Sequence, residues 1–160
     1  MSTKPTIIIT GGTGFIGSHT CVELANDFEL VVIDNLYNSS KNSLDKVQQL
    51  IKQEIIFYQE DILNWERIDT IFEKHQPYAV IHFAGLKAVE ESVENPLLYW
   101  ENNVFGSINL FKAMQLYDCK IIVFSSSATI YGNPKEKFLR EDTTIKPLNP
   151  YGYTKLTIEK

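Results

Sequence analysis

Short apolar runs alternate along the chain with longer stretches in which apolar residues recur every three or four positions. Runs at 6–9, 30–33, 55–58, 79–83 and 120–124 place apolar residues at successive positions and read as strands buried on both faces. The stretches 15–26 and 42–52, and the one carrying Ile68, Ile71 and Phe72, read as helices. In the second of them Leu44, Val47, Leu50 and Ile51 are spaced for one apolar face. A long helix is predicted over 96–117 and another from 150 onward. Strands separated by helices imply a parallel sheet covered on both sides, and right-handed crossovers make it a doubly wound α/β sheet of the Rossmann kind. No repeat or low-complexity tract interrupts the pattern, so 1–160 reads as one domain. The segment 133–147 is the one long loop, either a surface connection or a flap.

Composition narrows the classes of function. A net charge of −5, with no run of five Lys or Arg, argues against nucleic acid or an anionic membrane as partner. No stretch approaches the ~20 apolar residues of a membrane span, and the first residues lack the apolar core of a signal peptide. Cys21 and Cys119 form no CxxC pair and no His/Cys cluster, so buried thiols are expected and no metal site. A reducing cytoplasm fits this usage.

The first strand closes on Gly11-Gly12-Thr13-Gly14-Phe15-Ile16-Gly17, which satisfies G-x-G-x-x-G from Gly12 and G-x-x-G-x-x-G from Gly11. A tight strand-to-helix turn needs residues free of Cβ, a pyrophosphate needs bare backbone, and the helix N-terminus supplies N–H groups. Asp34 follows Gly17 by 17 residues and ends the second strand, where a carboxylate accepts from ribose hydroxyls and repels a 2′-phosphate. The pattern predicts NAD in preference to NADP, with Lys41 nearby to soften the discrimination. Past the third strand, Asp61 and Ile62 fit two roles, holding an adenine or, for Asp61 as for Asn64, capping a helix.

Tyr151-Gly152-Tyr153-Thr154-Lys155 contains Y-x-x-x-K. On a helix, positions i and i+4 share a face, so the phenol of Tyr151 and the ammonium of Lys155 project together, and Tyr153 does not. A free phenol, with a pKa of about 10, is a poor base at neutral pH, and a neighbouring ammonium favours its phenolate. Asn149 and Pro150 supply an N-cap and a first-turn proline. Ser125, Ser126 and Ser127 follow the fifth strand, at the edge where doubly wound sheets place their chemistry. They either donate to a substrate oxygen or satisfy backbone groups. No G-x-S-x-G accompanies them, which argues against a serine nucleophile. His19, His75 and His82 do not cluster, and His82 reads as a core histidine.

The glycine turn, Asp34, the serine run and Y-x-x-x-K, in that order, resemble the extended short-chain dehydrogenase/reductase family. Asp34-Asn35-Leu36, the block from His82 to Val89 and the one from Ser125 to Gly132 resemble its UDP-hexose 4-epimerase branch, over essentially the whole chain. That resemblance implies an isomerase of galactose metabolism, interconverting UDP-glucose and UDP-galactose through a transient 4-keto sugar with NAD as bound cofactor. It implies Tyr151 as base, Lys155 as its electrostatic partner on the nicotinamide ribose, and Ser127 on the sugar O4. It also implies cofactor contacts from Gly11, Gly14, Phe15, Ile16, Gly17, Asp34, Asn35, Asp61, Ile62, Phe83, Ala84, Gly85, Lys87 and Asn102. Dehydratases of the family carry Thr-Asp-Glu after the serine, where this chain has Ala128-Thr129. Glu90 departs from the glycine usual at its position.

The chain ends at Lys160, inside a predicted helix with no strand after it, where a doubly wound sheet normally continues. The expectation is therefore the front part of a longer, homodimeric enzyme whose substrate half is absent. Two other readings stay open: an inactive piece that at most binds NAD and self-associates through an exposed fifth strand, and an epimerase of another UDP-hexose, such as an N-acetylated one.

Overall fold

Alternate residues of five parallel strands face opposite sides of one sheet, and each side is met by a pair of helices, except at the strand 121–124, where Ile121 and Val123 are exposed against the expected burial on both faces. The computed structural model describes residues 4–134 and 137–160. The strands are β1 (Thr6–Thr10), β2 (Glu29–Ile33), β3 (Ile56–Tyr58), β4 (Ala79–His82) and β5 (Ile121–Phe124), in the order β3-β2-β1-β4-β5. Every neighbouring pair is parallel, so the doubly wound α/β fold expected from the sequence is the fold observed. Helices α1 (Phe15–Leu24), with Ala25 just past its end, and α2 (Lys41–Ile51) supply Cys21, Ala25, Leu44 and Val47 to the side lined by Ile7, Ile9, Leu30 and Val32. Helices α3 (Trp65–His75) and α6 (Gly106–Leu116) supply Ile68, Ile71, Phe72, Leu110 and Met114 to the side lined by Ile8, Val31, Ile33 and Val80.

Strands apolar on both sides gain nothing from alternation to set their register. Polar pairs at the ends do this. Thr6 pairs in register with Glu29 and donates to its carboxylate at 3.3 Å. At the other end Thr10 pairs with His82, whose Nδ1 lies 2.6 Å from the threonine hydroxyl. His82 is the buried core histidine that the sequence suggests.

The chain divides into two compact units, Met1–Ala84 with Asn109–Ser125 and Gly85–Ile108 with Ser126–Lys160. The first holds the sheet. The second contains α4 (Val89–Glu94), α5 (Pro96–Tyr99), a π-helical segment (Trp100–Phe105), a 3-10 turn (Ala128–Tyr131) and α7 (Pro150–Glu159). The single helix expected over 96–117 begins at Pro96, but it opens into wide turns at Trp100 and regains α geometry only at Gly106. There the buried Asn103 side chain bonds elsewhere, and Ser107 Oγ donates to the Asn103 carbonyl at 2.5 Å. The first helix stops at Leu24, two residues short of the expected end, and a turn follows in which Asp27 and Phe28 both donate to the Leu24 carbonyl. Lys135 and Glu136 of the loop 133–147 lie outside the described residues; its described part carries no helix or strand.

Caps end the amphipathic helices. Ser40 Oγ accepts from Asn42 N to open α2, which ends on Lys52 in the left-handed region at φ 54°. Glycine adopts that conformation without strain, so Lys52→Gly should raise stability by about 0.5–1 kcal/mol in urea unfolding. Burial pushes the Cys21 thiol up to about 12 and raises that of Cys119, so both are the inert core thiols expected. Among the described residues there is no metal-binding cluster, and no helix is long and apolar enough to cross a membrane.

Candidate functional site

In the first unit the candidate residues gather where the winding of the sheet reverses, beyond the C-terminal ends of β1 and β4. Gly11 N donates to Ile33 O at 2.9 Å, and Gly11 has φ +70°. A Cβ on Gly11 would stand 2.6 Å from Ala84 N, so the turn and the chain leaving β4 touch backbone to backbone. A Cβ on Gly17 would run into the Gly11 carbonyl, which places the start of α1 directly on the turn. Gly14 caps α1 without any side-chain bond, and no acidic residue occupies the first turn. A backbone cradle that Cβ atoms would fill, at an uncapped helix N-terminus, fits a dinucleotide pyrophosphate. Phe15 and Ile16 are 77% and 58% exposed at this turn.

Asp34 is nearly buried at the end of β2. Its Oδ2 accepts from Thr13 N at 3.1 Å, and its Oδ1 accepts from Leu36 N at 2.9 Å and Ser39 Oγ at 3.1 Å. Oδ1 is thereby filled, and Oδ2 keeps one lone pair open. Thr13 Oγ1 lies 2.7 Å from Ser39 Oγ, and Ser43 Oγ donates to Thr13 O at 2.6 Å, so the loop after β2 is stitched to the glycine turn. Thr13, Ser39 and Ser43 escape sequence reading because no period or motif marks a hydroxyl that reaches across 26 or 30 residues. Lys41 stands 5.8 Å over the Phe57 ring.

At the turn after β3 the helix cap is Asn64 and not Asp61. Asn64 caps α3 through Arg67 N, and Asp61 Oδ1 accepts from Leu63 N at 2.8 Å. The other oxygen, Asp61 Oδ2, accepts from Asn35 Nδ2 at 2.8 Å, and Ile62 is buried beneath. Phe83 and Ala84 are held by Thr10, through its carbonyl at 3.0 Å and its hydroxyl at 3.3 Å.

In the second unit α7 carries Tyr151 and Lys155. Asn149 Oδ1 accepts from Gly152 N at 2.8 Å and Pro150 occupies the first turn, so the helix starts as its sequence predicts. Tyr151 and Lys155 are 8% and 5% exposed, against 48% for Tyr153, which confirms the shared face. Lys155 Nζ lies 5.9 Å from the Tyr151 ring centroid. Burial lowers the Lys155 ammonium from its usual 10.5 to about 8. The fully buried Tyr99 meets the Tyr151 ring edge-on at 6.3 Å and donates to Glu91 Oε2 at 2.7 Å.

Asn103, on the π-helical segment, holds this unit together. Its Oδ1 accepts from Leu86 N at 2.8 Å, and its Nδ2 donates to Leu86 O at 3.0 Å and Thr154 Oγ1 at 3.2 Å. A Cβ on Gly85, at φ +152°, would lie 3.1 Å from Asn103 Oδ1 and 3.8 Å from Lys155 Nζ. Gly85, Tyr151 and Lys155 thus share one framework. Its key residue is missed by pattern reading, because a lone Asn in a helix resembles a solvated one. Asn102 is half-buried, and Lys87 and Glu90 are exposed. Ser127 Oγ caps the 3-10 turn, accepting from Thr129 N at 3.2 Å and lying 2.9 Å from Thr129 Oγ1. A Cβ on Gly152 would come within 2.9 Å of Thr129 O, which puts that turn against the start of α7.

Known proteins resemble this chain in sequence and fold. The family model described as GDP-mannose 4,6 dehydratase matches residues 8–160. The UDP-glucose 4-epimerase of Bacillus subtilis is 51% identical over 155 residues, covering 96% of this chain and 46% of that protein. A bifunctional UDP-glucose 4-epimerase and UDP-xylose 4-epimerase of Pisum sativum is 46% identical, covering 96% and 45%. Among solved structures, UDP-glucose 4-epimerase from Bifidobacterium longum in complex with NAD+ and UDP superposes with a TM-score of 0.93 at 41% identity, covering 96% of this chain and 47% of that one. The Stenotrophomonas maltophila enzyme, with bound NAD and formylated UDP-arabinopyranose, gives 0.93 at 40% identity over 97% and 46%. The chain spans about half the length of the curated relatives it matches.

Proposed function

Because the chain belongs to the family described as GDP-mannose 4,6 dehydratase, we propose that it is the NAD-binding and proton-transferring part of a UDP-hexose 4-epimerase. The observation that carries this reading is the pair Tyr151 and Lys155, both buried on one face of α7. It is supported by the epimerase identity of the relatives and by Ala128-Thr129, which lack the acid pair of a dehydratase.

NAD, when bound, supplies a reversible hydride acceptor, so that a sugar carbinol can become a ketone and be reduced again on its other face. Gly11, Gly14 and Gly17, with the backbone of Phe15 and Ile16, would receive the pyrophosphate. Asp34 would accept one ribose hydroxyl on its open lone pair, and Asp61 with Asn35 and Ile62 would hold the adenine. Phe83, Ala84, Gly85, Lys87 and Asn102 would complete the cofactor contacts. Tyr151 takes the proton of the sugar 4-hydroxyl and later returns it. Lys155 supplies positive charge beside the phenol, and Ser127 donates to the sugar oxygen. A homodimer in a reducing cytoplasm remains part of the reading.

Calorimetric titration tests the cofactor assignment. NAD should bind at least about a hundredfold tighter than NADP, whose 2′-phosphate meets the Asp34 carboxylate. Tighter NADP binding would overturn it. A second reading is NAD binding without turnover. Incubating the chain with NAD and UDP-galactose decides between them. Formation of UDP-glucose supports the epimerase, and Tyr151→Phe should then lower the rate about 10²–10⁴-fold with NAD affinity unchanged.

A further inference from the structure

We propose that Asn109 is a positioning residue that sets the turn after β3 so that Asp61 selects a 6-amino purine over a 6-oxo purine. The proposal rests on the reading that Asp61 and Ile62 hold the adenine. Asn109 stands in the first turns of α6, far in sequence from that turn, and its single Nδ2 donates to two successive carbonyls, Ile62 O at 3.1 Å and Leu63 O at 3.0 Å. Three residues further along the same helix, Lys112 Nζ lies 3.7 Å over the ring of Trp65, the first residue of α3. Helix α6 therefore grips the turn and the helix that follows it at two points, and Ile62 is sunk into the core between them.

This anchorage bears on Asp61. Its two oxygens each hold one donor, Leu63 N on Oδ1 and Asn35 Nδ2 on Oδ2, both at 2.8 Å. Each keeps one lone pair, and an ionised carboxylate has no hydrogen to give. The edge it presents therefore accepts from an exocyclic amine and repels a carbonyl oxygen in the same place. The bond to Leu63 N depends on the turn keeping its shape, and the Asn109 amide bridges the neighbouring carbonyls of that turn. Without the bridge the carbonyls turn toward water, the bond between Leu63 and Asp61 loosens, and the carboxylate loses its aim.

The test is calorimetric titration of NAD and of its hypoxanthine analogue against the whole chain and Asn109→Leu, with amide hydrogen exchange at Leu63 in the absence of ligand. We expect NAD binding to weaken about tenfold, the loss of one to two hydrogen bonds. The hypoxanthine analogue should weaken much less, so that the preference shrinks, and the Leu63 amide should exchange faster. Asn109→Asp, which keeps the shape and removes the two N–H bonds, should reproduce the result should the leucine variant fail to fold. Equal weakening of both dinucleotides, or no weakening, overturns the role of Asn109. A whole chain that binds the two dinucleotides equally, or neither, overturns the adenine reading of Asp61 itself and the proposal with it.

Discussion

Gly17→Ala should destabilise the chain by about 2 kcal/mol or more and abolish measurable NAD binding. Helix propensity alone predicts the opposite, since alanine in place of a helical glycine gains about 1 kcal/mol. Packing decides the sign. A Cβ at this position would overlap the Gly11 carbonyl and stand 2.7 Å from Gly12 Cα. All of these are backbone atoms, so no rotamer change relieves the overlap, and α1 must move off the turn. That movement also removes the helix N–H groups from where a pyrophosphate would lie. Gly14→Ala is the matched control, because its Cβ would meet only the Gly11 carbonyl, at 3.3 Å. Urea unfolding and NAD titration of both variants check this, and a Gly17→Ala chain more stable than its parent would refute the close-packing account.

The second large effect concerns Lys155. Its folded value of about 8 lies below the usual 10.5, and burial is the cause. Between those two values the unfolded chain binds a proton that the folded chain does not. Stability therefore rises with pH across this window, and below it the buried ammonium costs about 3 kcal/mol. Lys155→Met removes the titrating group. The difference in unfolding free energy between parent and variant should change by about that amount from pH 7 to pH 10.5, in the parent's favour at high pH. Groups remote from Lys155 contribute equally to both proteins and cancel in the difference. A flat difference across the window refutes the burial cost. The residue proposed to assist Tyr151 is thus also one that the fold holds at a loss, a common mark of functional sites.

The strands were legible in the sequence because Ile and Val at successive positions leave no polar side, and α2 and α3 because apolar residues recur along one face. Helix α4 was not legible: its six residues carry three glutamates, and Val89 and Val93 stay exposed, so no apolar stripe marks it. The wide turns from Trp100 to Phe105 leave no composition signal either, since their cause is a side chain bonded across the fold. The site divides the same way. Gly11, Asp34, Tyr151 and Lys155 belong to short motifs whose spacing reflects local geometry. Thr13, Ser39, Asn103 and Asn109 act through bonds that join distant parts of the chain, and only the folded structure brings them together.

The strand order also sets a timetable for synthesis. β1 lies at the centre of the sheet, but its partner on one side, β4, begins about seventy positions later, with Ile7 waiting for Ala79. At about 5–20 residues per second a ribosome needs roughly 4 to 14 s to cover that interval. During it α1, β2, α2, β3 and α3 emerge in turn, while one edge of β1 and the apolar surface that α6 later covers stay open to water. The nascent chain therefore presents its stickiest surface at the middle of the future sheet, and a chaperone that shields it has its greatest effect before residue 79 emerges.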